Sequence, residues 1–221
     1  MNRLLRVTLW PLLAAAPMIV ASLSPARFFA DARCVVAFAF MVVGLAIENS
    51  IVNPKSVRES NAKEQAKHDK KSFELSTLTN VACFYLPVYD YLNVSPIVPR
   101  NATTLAIGVA LMLAGEGLRI VALRTLGRFF TMRVAVLEGH RVVRDGLYRF
   151  VRHPAYSGWF LLSLGFGFYF GSIVGIVGTS TFVFVLGWRV KVEERALCAA
   201  LGDDYRRYMS DVPSRFLPGI F

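Results

Sequence analysis

The sequence has few charged residues for its length. Asp, Glu, Lys and Arg make up 18% of its 221 residues, against about 25% in soluble domains. Hydrophobic residues make up 55%, and the mean hydropathy is +0.47. A water-soluble fold would leave too much of this apolar surface exposed, and no segment alternates as a strand of a membrane β-barrel does. The composition therefore predicts an all-α, polytopic transmembrane helical bundle.

Metal-binding and disulfide-forming residues are equally sparse, and several common catalytic motifs are missing. The three cysteines show no CxxC spacing, so we interpret them as small buried hydrophobic residues. The three histidines lie far apart in sequence, which argues against a metal centre. The chain also lacks a P-loop, a dinucleotide-binding glycine fingerprint and a nucleophile elbow. The residues concerned are Cys34, Cys83, Cys198, His68, His140 and His153.

Basic residues outnumber acidic ones, and the formal net charge is +10. A basic chain can indicate nucleic-acid binding, but here the basic residues cluster between the apolar runs, in 53–72, in 124–152 and after 188. Membrane proteins carry their basic residues in this way on the cytosolic side. We therefore expect membrane lipids as partners and no nucleic acid, with both termini in the cytosol.

Four apolar runs precede residue 124 and are near the roughly 20 residues that cross a bilayer. The first follows Arg3 and Arg6, as a secretory signal would, but its length and its two prolines favour a retained span. The third is the most polar, and we keep it as a span because six crossings place the basic segments on one side. The runs cover 7–23, 34–52, 73–92 and 102–123.

The last apolar run contains no Asp, Glu, Lys or Arg from His153 to Trp188. One helix of this length would extend well beyond the hydrocarbon core, which is about 30 Å thick. We therefore expect two short helices with a turn near Gly171 and Ser172, which brings the total to about six spans. Such a hairpin returns the residues on either side of the run to the same side of the membrane.

Two charged residues interrupt the fourth run. Glu116 and Arg119 lie three positions apart, on one face of a helix. An ionisable pair inside a membrane usually faces the bundle interior and is a candidate functional site. A structural ion pair near the membrane surface explains the same spacing equally well.

Two charged stretches flank the predicted hairpin. The first, at 145–158, reads DGLYRFVRHPAYSG; Pro154 suits the first turn of a helix, whose free N–H groups and dipole attract anions. In the second, Arg189 and Glu193 are one helical turn apart. Taken singly, the first stretch is typical of an interfacial anchor and the second of a surface ion pair.

Taken together, the two stretches resemble the isoprenylcysteine carboxyl methyltransferase family of integral membrane enzymes. The shared pattern is RHPxYxG, a hydrophobic stretch, EE, and then LxxxxG[DE][DE]YxxY, here within RVKVEERALCAALGDDYRRYMSDVPSRFLP at 189–218. Phospholipid N-methyltransferases are similar to a lesser degree. The resemblance covers about the last 110 residues, and it divides the chain into N-terminal transmembrane helices with a basic loop (1–101) and a catalytic region (102–221).

The resemblance implies S-adenosylmethionine (SAM) as the cofactor, in a pocket that faces the cytosol. Arg189 would meet the substrate carboxylate, and Arg152 and Glu194 would join it as catalytic residues. The family often has a longer run of glutamates, where this chain has Lys191 and Val192. The implied cofactor-binding residues are His140, Arg141, Val142, Val143, Tyr148, His153, Pro154, Ala155, Tyr156, Gly158 and Glu193.

The residue types fit methylation of a carboxylate. Glu193 can pair with the ammonium of SAM, while His153, Tyr156 and the helix start can hold its carboxylate. The α-carboxylate of a prenylated cysteine is already ionised, so no general base is needed and catalysis reduces to positioning. An amine would first have to lose a proton, which mildly favours the carboxylate.

Three alternatives remain at this point: phospholipid or other amine N-methylation, a membrane reductase using a nicotinamide cofactor, and a non-catalytic membrane scaffold. For the leading interpretation, the lipid tail of the substrate would enter sideways from the bilayer. The membrane would be the endoplasmic reticulum in a eukaryote and the inner membrane in a bacterium.

Overall fold

The computed structural model describes residues 9, 11–52, 70–131 and 136–219. Regular secondary structure in this described part consists of helices, which confirms the predicted all-α bundle. Arg3, Arg6 and most of the basic loop at 53–72 lie outside the described residues, so the orientation of the bundle stays a prediction. The helices are α1 (Pro11–Ala21), α2 (Pro25–Ala30), α3 (Ala32–Ile51), α4 (Lys70–Asn93), α5 (Ala102–Leu126), α6 (Pro154–Phe170), α7 (Ile173–Leu201) and α8 (Asp203–Asp211).

Three of these helices are long and apolar enough to cross a membrane. They are α3, α5 together with the 3₁₀ turn that follows it (Ala102–Phe129), and α7. The weak third run forms α4, a helix of 24 residues with Pro87 inside it, and α6 has 17 residues. Each predicted apolar run is thus helical where it is described, although three helices rather than six meet the length and hydropathy expected of a full crossing.

The predicted hairpin is confirmed, with its turn at Gly171 and Ser172. Gly171 ends α6 with a φ of +59°, the left-handed conformation that glycine adopts without steric cost. Ser172 begins α7, and its hydroxyl accepts a hydrogen bond of 3.0 Å from the Gly175 N–H. A serine in this position satisfies one of the unpaired N–H groups at the start of a helix.

Helices α5 and α6 approach each other through glycines. A Cβ atom added to Gly115 would lie 2.6 Å from the Gly158 carbonyl oxygen, and one added to Gly158 would lie 2.6 Å from the Gly115 oxygen. Small residues at helix contacts allow this close backbone approach in membranes. The missing side chain of Gly158 therefore allows the contact with α5, and the cofactor contact that the family resemblance implies for Gly158 stays a prediction.

Arg119 of α5 pairs with a residue on another helix. Its Nη2 donates to Glu48 of α3 at 2.8 Å, and its Nη1 donates to the carbonyl oxygen of Ala155 at 3.3 Å. Arg119 therefore forms its hydrogen-bonded ion pair with Glu48, and the expected ion pair with Glu116 is wrong. Buried charges in a membrane need a partner of this kind, and the bridge ties α3 and α5 to the first turn of α6.

The segment after α8 folds back over the start of α6. The N–H of Arg152 donates to the Ser214 oxygen at 3.0 Å, and that of His153 donates to the Arg215 oxygen at 2.9 Å. The Ser157 hydroxyl also donates to the Phe216 oxygen at 2.6 Å. We call residues 212–216 the C-terminal strap, because these bonds fasten it across the helix start.

Candidate functional site

The two charged stretches meet through one tyrosine. The hydroxyl of Tyr156, in the first turn of α6, donates to Glu193 Oε2 at 2.9 Å. The same hydroxyl accepts a hydrogen bond from Arg189 Nε at 3.0 Å. Arg189 and Glu193 are one turn apart on α7, so Tyr156 holds a cation and an anion side by side. This contact requires both ends of the hairpin on one side, as the length of the apolar run predicts.

Arg189 is buried and also contacts α4. The guanidinium carbon of Arg189 lies 5.6 Å from the centre of the Phe73 ring. Its Nη1 lies 3.5 Å from the Ser72 hydroxyl oxygen. The sequence pattern did not select Ser72 or Phe73, because they stand at the edge of a basic loop that resembles a solvated linker. The only indication in the sequence was that Ser72 and Phe73 stand at the start of the third apolar run.

Glu194 is the centre of a buried ionic cluster. It accepts hydrogen bonds from Arg152 Nε at 2.8 Å and from Arg215 Nη2 at 3.0 Å. His153 Nε2 lies 3.3 Å from the same carboxylate. Both carboxylate oxygens are thus engaged, and the Glu194 side chain is only 5% exposed. This cluster lies beside the Tyr156 contact but uses different residues.

Arg152 bonds to three acceptors in and around this cluster. Besides Glu194, its Nη1 donates to the carbonyl oxygens of Val212 and Met209. The guanidinium therefore joins α7 to the end of α8 and the C-terminal strap. Arg215 was missed by the sequence pattern, since an arginine after a polar helix gives no indication of which carboxylate it reaches.

His140 and Tyr148 lie in the segment between α5 and α6, within electrostatic reach of Glu193. Burial lowers the pKa of His140, the nearby Arg128 lowers it further, and Glu193 opposes both. Burial also raises the pKa of Tyr148 well above its ordinary value, and the Glu193 carboxylate adds to that effect. The His140 ring packs on Phe129, with ring centres 4.8 Å apart. Its Nδ1 is buried and has no hydrogen-bond partner among the described residues.

Most of the other residues that the resemblance implies for the cofactor lie near the Tyr156 contact or pack against neighbouring helices. Pro154 is buried at the first position of α6, as expected for a helix start. Val142 packs against the Tyr205 and Tyr208 cluster of α8. Arg141 is exposed and Val143 is half-buried, while the Ala155 carbonyl is taken by Arg119. The geometry gathers a smaller set around Glu193, namely His140, Tyr148, Tyr156 and Arg189, while His153 contacts Glu194 instead.

The described residues include no group of three or more His, Cys, Asp or Glu side chains that could hold a metal ion. What the site offers is a buried arginine, a carboxylate one turn away, and aromatic and imidazole rings nearby. A buried guanidinium can bind a carboxylate through charge-assisted hydrogen bonds. The neighbouring carboxylate can bind an ammonium. The site can therefore hold two oppositely charged groups next to each other.

Comparison with known proteins shows a family likeness around this site. The model of the isoprenylcysteine carboxyl methyltransferase (ICMT) family matches residues 107–199, a range that contains Tyr156, Arg189 and Glu193. The family resemblance expected from the two charged stretches is thereby confirmed.

Curated relatives carry the corresponding name. The protein-S-isoprenylcysteine O-methyltransferase of Schizosaccharomyces pombe is 37% identical over 107 residues, which cover 45% of this chain and 44% of that protein. Protein-S-isoprenylcysteine O-methyltransferase B of Arabidopsis thaliana is 32% identical over 110 residues, covering 48% and 56%. The chain spans about half the length of these curated ICMT relatives.

A solved structure extends the likeness beyond the matched region. It is that of a eukaryotic intramembrane Ras methyltransferase, ICMT, and the match has a TM-score of 0.52 at 22% sequence identity. The match covers 85% of this chain and 75% of the other. At this identity the comparison establishes the fold, which is that of a membrane-embedded helical protein.

Proposed function

We propose that the chain is a SAM-dependent methyltransferase that esterifies the carboxylate of an S-prenylated cysteine or of a similar lipidated acid. The contact of Tyr156 with both Arg189 and Glu193 carries this proposal. It provides adjacent positions for a carboxylate and for an ammonium, inside the region that matches the ICMT family model. The names of the curated relatives support the same reaction, and residues 102–221 would form the catalytic part.

The residues around Glu193 fit SAM, which would supply an electrophilic methyl group on its sulfonium. Glu193 would pair with the ammonium, and His140, whose Nδ1 is buried without a partner among the described residues, would gain a hydrogen bond. The rings of Phe129 and Tyr148 and the side chain of Val143 would contribute apolar surface. Arg141, being exposed, would contribute through its backbone.

The start of α6 offers less to an anion than the sequence suggested. Pro154 has no N–H, and the N–H groups of Tyr156 and Ser157 donate to the His153 oxygen at 3.1 and 3.2 Å. The Ala155 N–H and the helix dipole would remain for the carboxylate of the cofactor. The His153 ring, held against Glu194, would act mainly by keeping this turn in place.

For the reaction itself, the chain needs to orient the nucleophile rather than activate it. Arg189 would bind the substrate carboxylate, which is ionised at neutral pH, and no proton has to be removed. Tyr156 would fix the Arg189 guanidinium through its hydroxyl. With the cofactor supplying the electrophilic methyl group, the part of Arg189 and Tyr156 would be to hold the carboxylate in position and away from water, and this positioning would carry the catalysis. The Glu194 cluster would position Arg152 and the strap around this site.

An apolar region next to Tyr156 suits a prenyl tail. Phe182 and Leu186 of α7 are buried there, and Phe160 of α6 packs beside them. These side chains lie on the two helices that carry Tyr156 and Arg189, so a lipid entering from the bilayer would reach the charged contact with its polar end. This end of the bundle would face the cytosol, which the distribution of basic residues supports through the positive-inside rule.

A methyl-transfer assay tests the proposal. Purified protein is incubated with methyl-labelled SAM and N-acetyl-S-farnesylcysteine, and base-released methanol reports the ester. We expect a base-labile ester from wild type, a loss of at least 100-fold in Arg189→Ala, and wild-type activity in Arg207→Ala, which removes an exposed arginine of α8. Label that appears in phosphatidylethanolamine instead would establish amine methylation.

Cofactor binding is measured separately by calorimetry. Charge-assisted hydrogen bonds contribute about 1.5–3 kcal/mol, so Glu193→Gln should weaken SAM binding by roughly 10- to 100-fold. Arg207→Ala serves again as the control. Unchanged SAM affinity in Glu193→Gln would show that the cofactor lies elsewhere.

A further inference from the structure

A second charged groove lies on the opposite face of α7 from Arg189 and Glu193. It has a volume of about 430 Å³ and is enclosed by α7, by α8 and by Arg215 of the strap. Along α7 its residues recur at 191, 194, 195 and 198, the spacing of one helix face. Arg189 and Glu193 fall about half a turn away from that face. The groove is therefore separate from the site proposed for SAM and substrate.

The groove carries an excess of positive charge. Four basic side chains line it, against one carboxylate, that of Glu194. Glu194 is already neutralised by Arg152 and Arg215, and Arg206 pairs with Asp203 at 2.7 Å. The two cations that remain, Lys191 and Arg195, are both exposed and form no ion pair within the described part of the chain. An anion entering the groove would meet these two cations, and the one carboxylate in the lining, Glu194, is already paired.

An exposed apolar stripe leads directly to this groove along α7. Val177, Phe184 and Trp188 are 53%, 79% and 42% exposed. Lys191 and Arg195 lie on the same face of α7 as these three residues. The successive spacings from Val177 to Arg195 are seven, four, three and four residues, which are the spacings of one helix face. The stripe belongs to the part of α7 that can cross the membrane, and the cations follow where a tryptophan marks the interface.

We propose that this face of α7 binds an anionic phospholipid, with the phosphate in the groove and an acyl chain along the stripe. Basic pockets at the membrane surface bind acidic headgroups, and a free phosphate would make no use of the apolar stripe. Binding here does not depend on the methyltransferase reaction. Because Arg215 lines the groove and also contacts Glu194, an occupied groove would touch the cluster that holds Arg152.

Quenching of Trp188 fluorescence by brominated lipid tests this site. The full chain is reconstituted in phosphatidylcholine vesicles containing a small fraction of brominated phosphatidylglycerol or, separately, of brominated phosphatidylcholine. We expect stronger quenching by the brominated phosphatidylglycerol in wild type, and we expect Trp188→Phe to abolish the difference, which assigns it to this face. Each cation near an anionic surface changes lipid association several-fold, so Lys191→Gln with Arg195→Gln should reduce the preference by on the order of tenfold.

The matched control removes two exposed arginines elsewhere, Arg124→Gln with Arg149→Gln, for the same change in net charge. It should keep the wild-type preference. Equal quenching by the two lipids in wild type, or an equal loss of preference in both double variants, would overturn the proposal. Inorganic phosphate at 10 mM, compared with sodium chloride of the same ionic strength, separates the two sources of phosphate. If phosphate alone removes the quenching, the groove binds a free anion and the assignment to lipid is wrong.

Discussion

The Nε atom of Arg152 lies 2.8 Å from Glu194 Oε1, although 42 residues separate the two in sequence. Both side chains are about 95% buried, with exposed fractions of 4% and 5%. The pair fastens the start of α6 to α7 just beyond the residue that would bind the substrate. A buried pair of this kind need not add much net stability, but removing one partner leaves an uncompensated charge.

Replacement of Glu194 by Gln should therefore strongly destabilise the protein. Arg152 and Arg215 would lose the negative charge that they share, and breaking a buried ion pair typically costs about 3–5 kcal/mol. The melting temperature in detergent measures the effect. Asp204→Asn provides the control, because it breaks the exposed Asp204–Arg207 pair, which should contribute less than about 1 kcal/mol. Equal shifts in the two variants would contradict the structural role of Glu194.

Tyr156→Phe should reduce activity much more than stability. The change removes one hydroxyl that bonds to both Arg189 and Glu193, and bonds to charged groups contribute about 1.5–3 kcal/mol each. We expect kcat/KM for methyl transfer to fall by roughly 10- to 100-fold. Tyr169→Phe, which removes a buried hydroxyl far along α6 that donates to the Arg33 oxygen at 3.1 Å, should stay within threefold of wild type. Parallel losses in both variants would mean that Tyr156 acts through packing alone.

The glycine contact between α5 and α6 gives a prediction with a control on the same helix. Gly115→Ala would place a methyl group 2.6 Å from the Gly158 oxygen, and such overpacking usually costs about 1–3 kcal/mol. Gly117→Ala, two residues further on, meets nothing within 4 Å and should be neutral or stabilising by up to about 1 kcal/mol. The melting temperatures of both variants, measured in the same detergent, test this prediction. Equal melting temperatures would contradict the close approach of α5 and α6 at Gly115.

His140 should make stability depend on pH. Its pKa in the folded protein is below the ordinary 6.5, chiefly because burial disfavours the charged ring. The unfolded chain therefore takes up a proton first as the pH falls. Stability is fully present above about pH 6.5 and decreases as the pH falls towards the lower folded pKa. Melting curves of wild type and His140→Asn between pH 7.5 and 5 should diverge as acid is added, whereas parallel curves would exclude this contribution.

The hairpin was predictable from the sequence because it follows from length and charge. The stretch from His153 to Trp188 is too long for one crossing. Gly171 suits the C-terminal cap of the first helix, and Ser172 suits the N-terminal cap of the second. Pro154 likewise marks the start of α6 by its chemistry alone. These features depend on neighbours in sequence, so they can be derived without knowing how the helices pack.

Choices of partner between helices were not predictable in this way. Helical spacing put Glu116 and Arg119 on one face, but it could not show that Arg119 would form its ion pair with Glu48 of α3 instead. The same limit applies to Arg215, whose partner Glu194 depends on the path of the strap. Gly158 shows the same limit, since spacing does not reveal that the backbone of Gly115 comes close to it.

The C-terminal strap also has a consequence for biosynthesis. Arg152 bonds to the oxygen of Val212, 60 residues later in the chain, and the strap contributes the backbone oxygens that hold Arg152 and His153. The strap follows α6 and α7 in the sequence, so it leaves the ribosome after both helices. The hairpin can therefore enter the bilayer before the backbone oxygens that hold Arg152 and His153 are in place, and this end of the bundle is completed last.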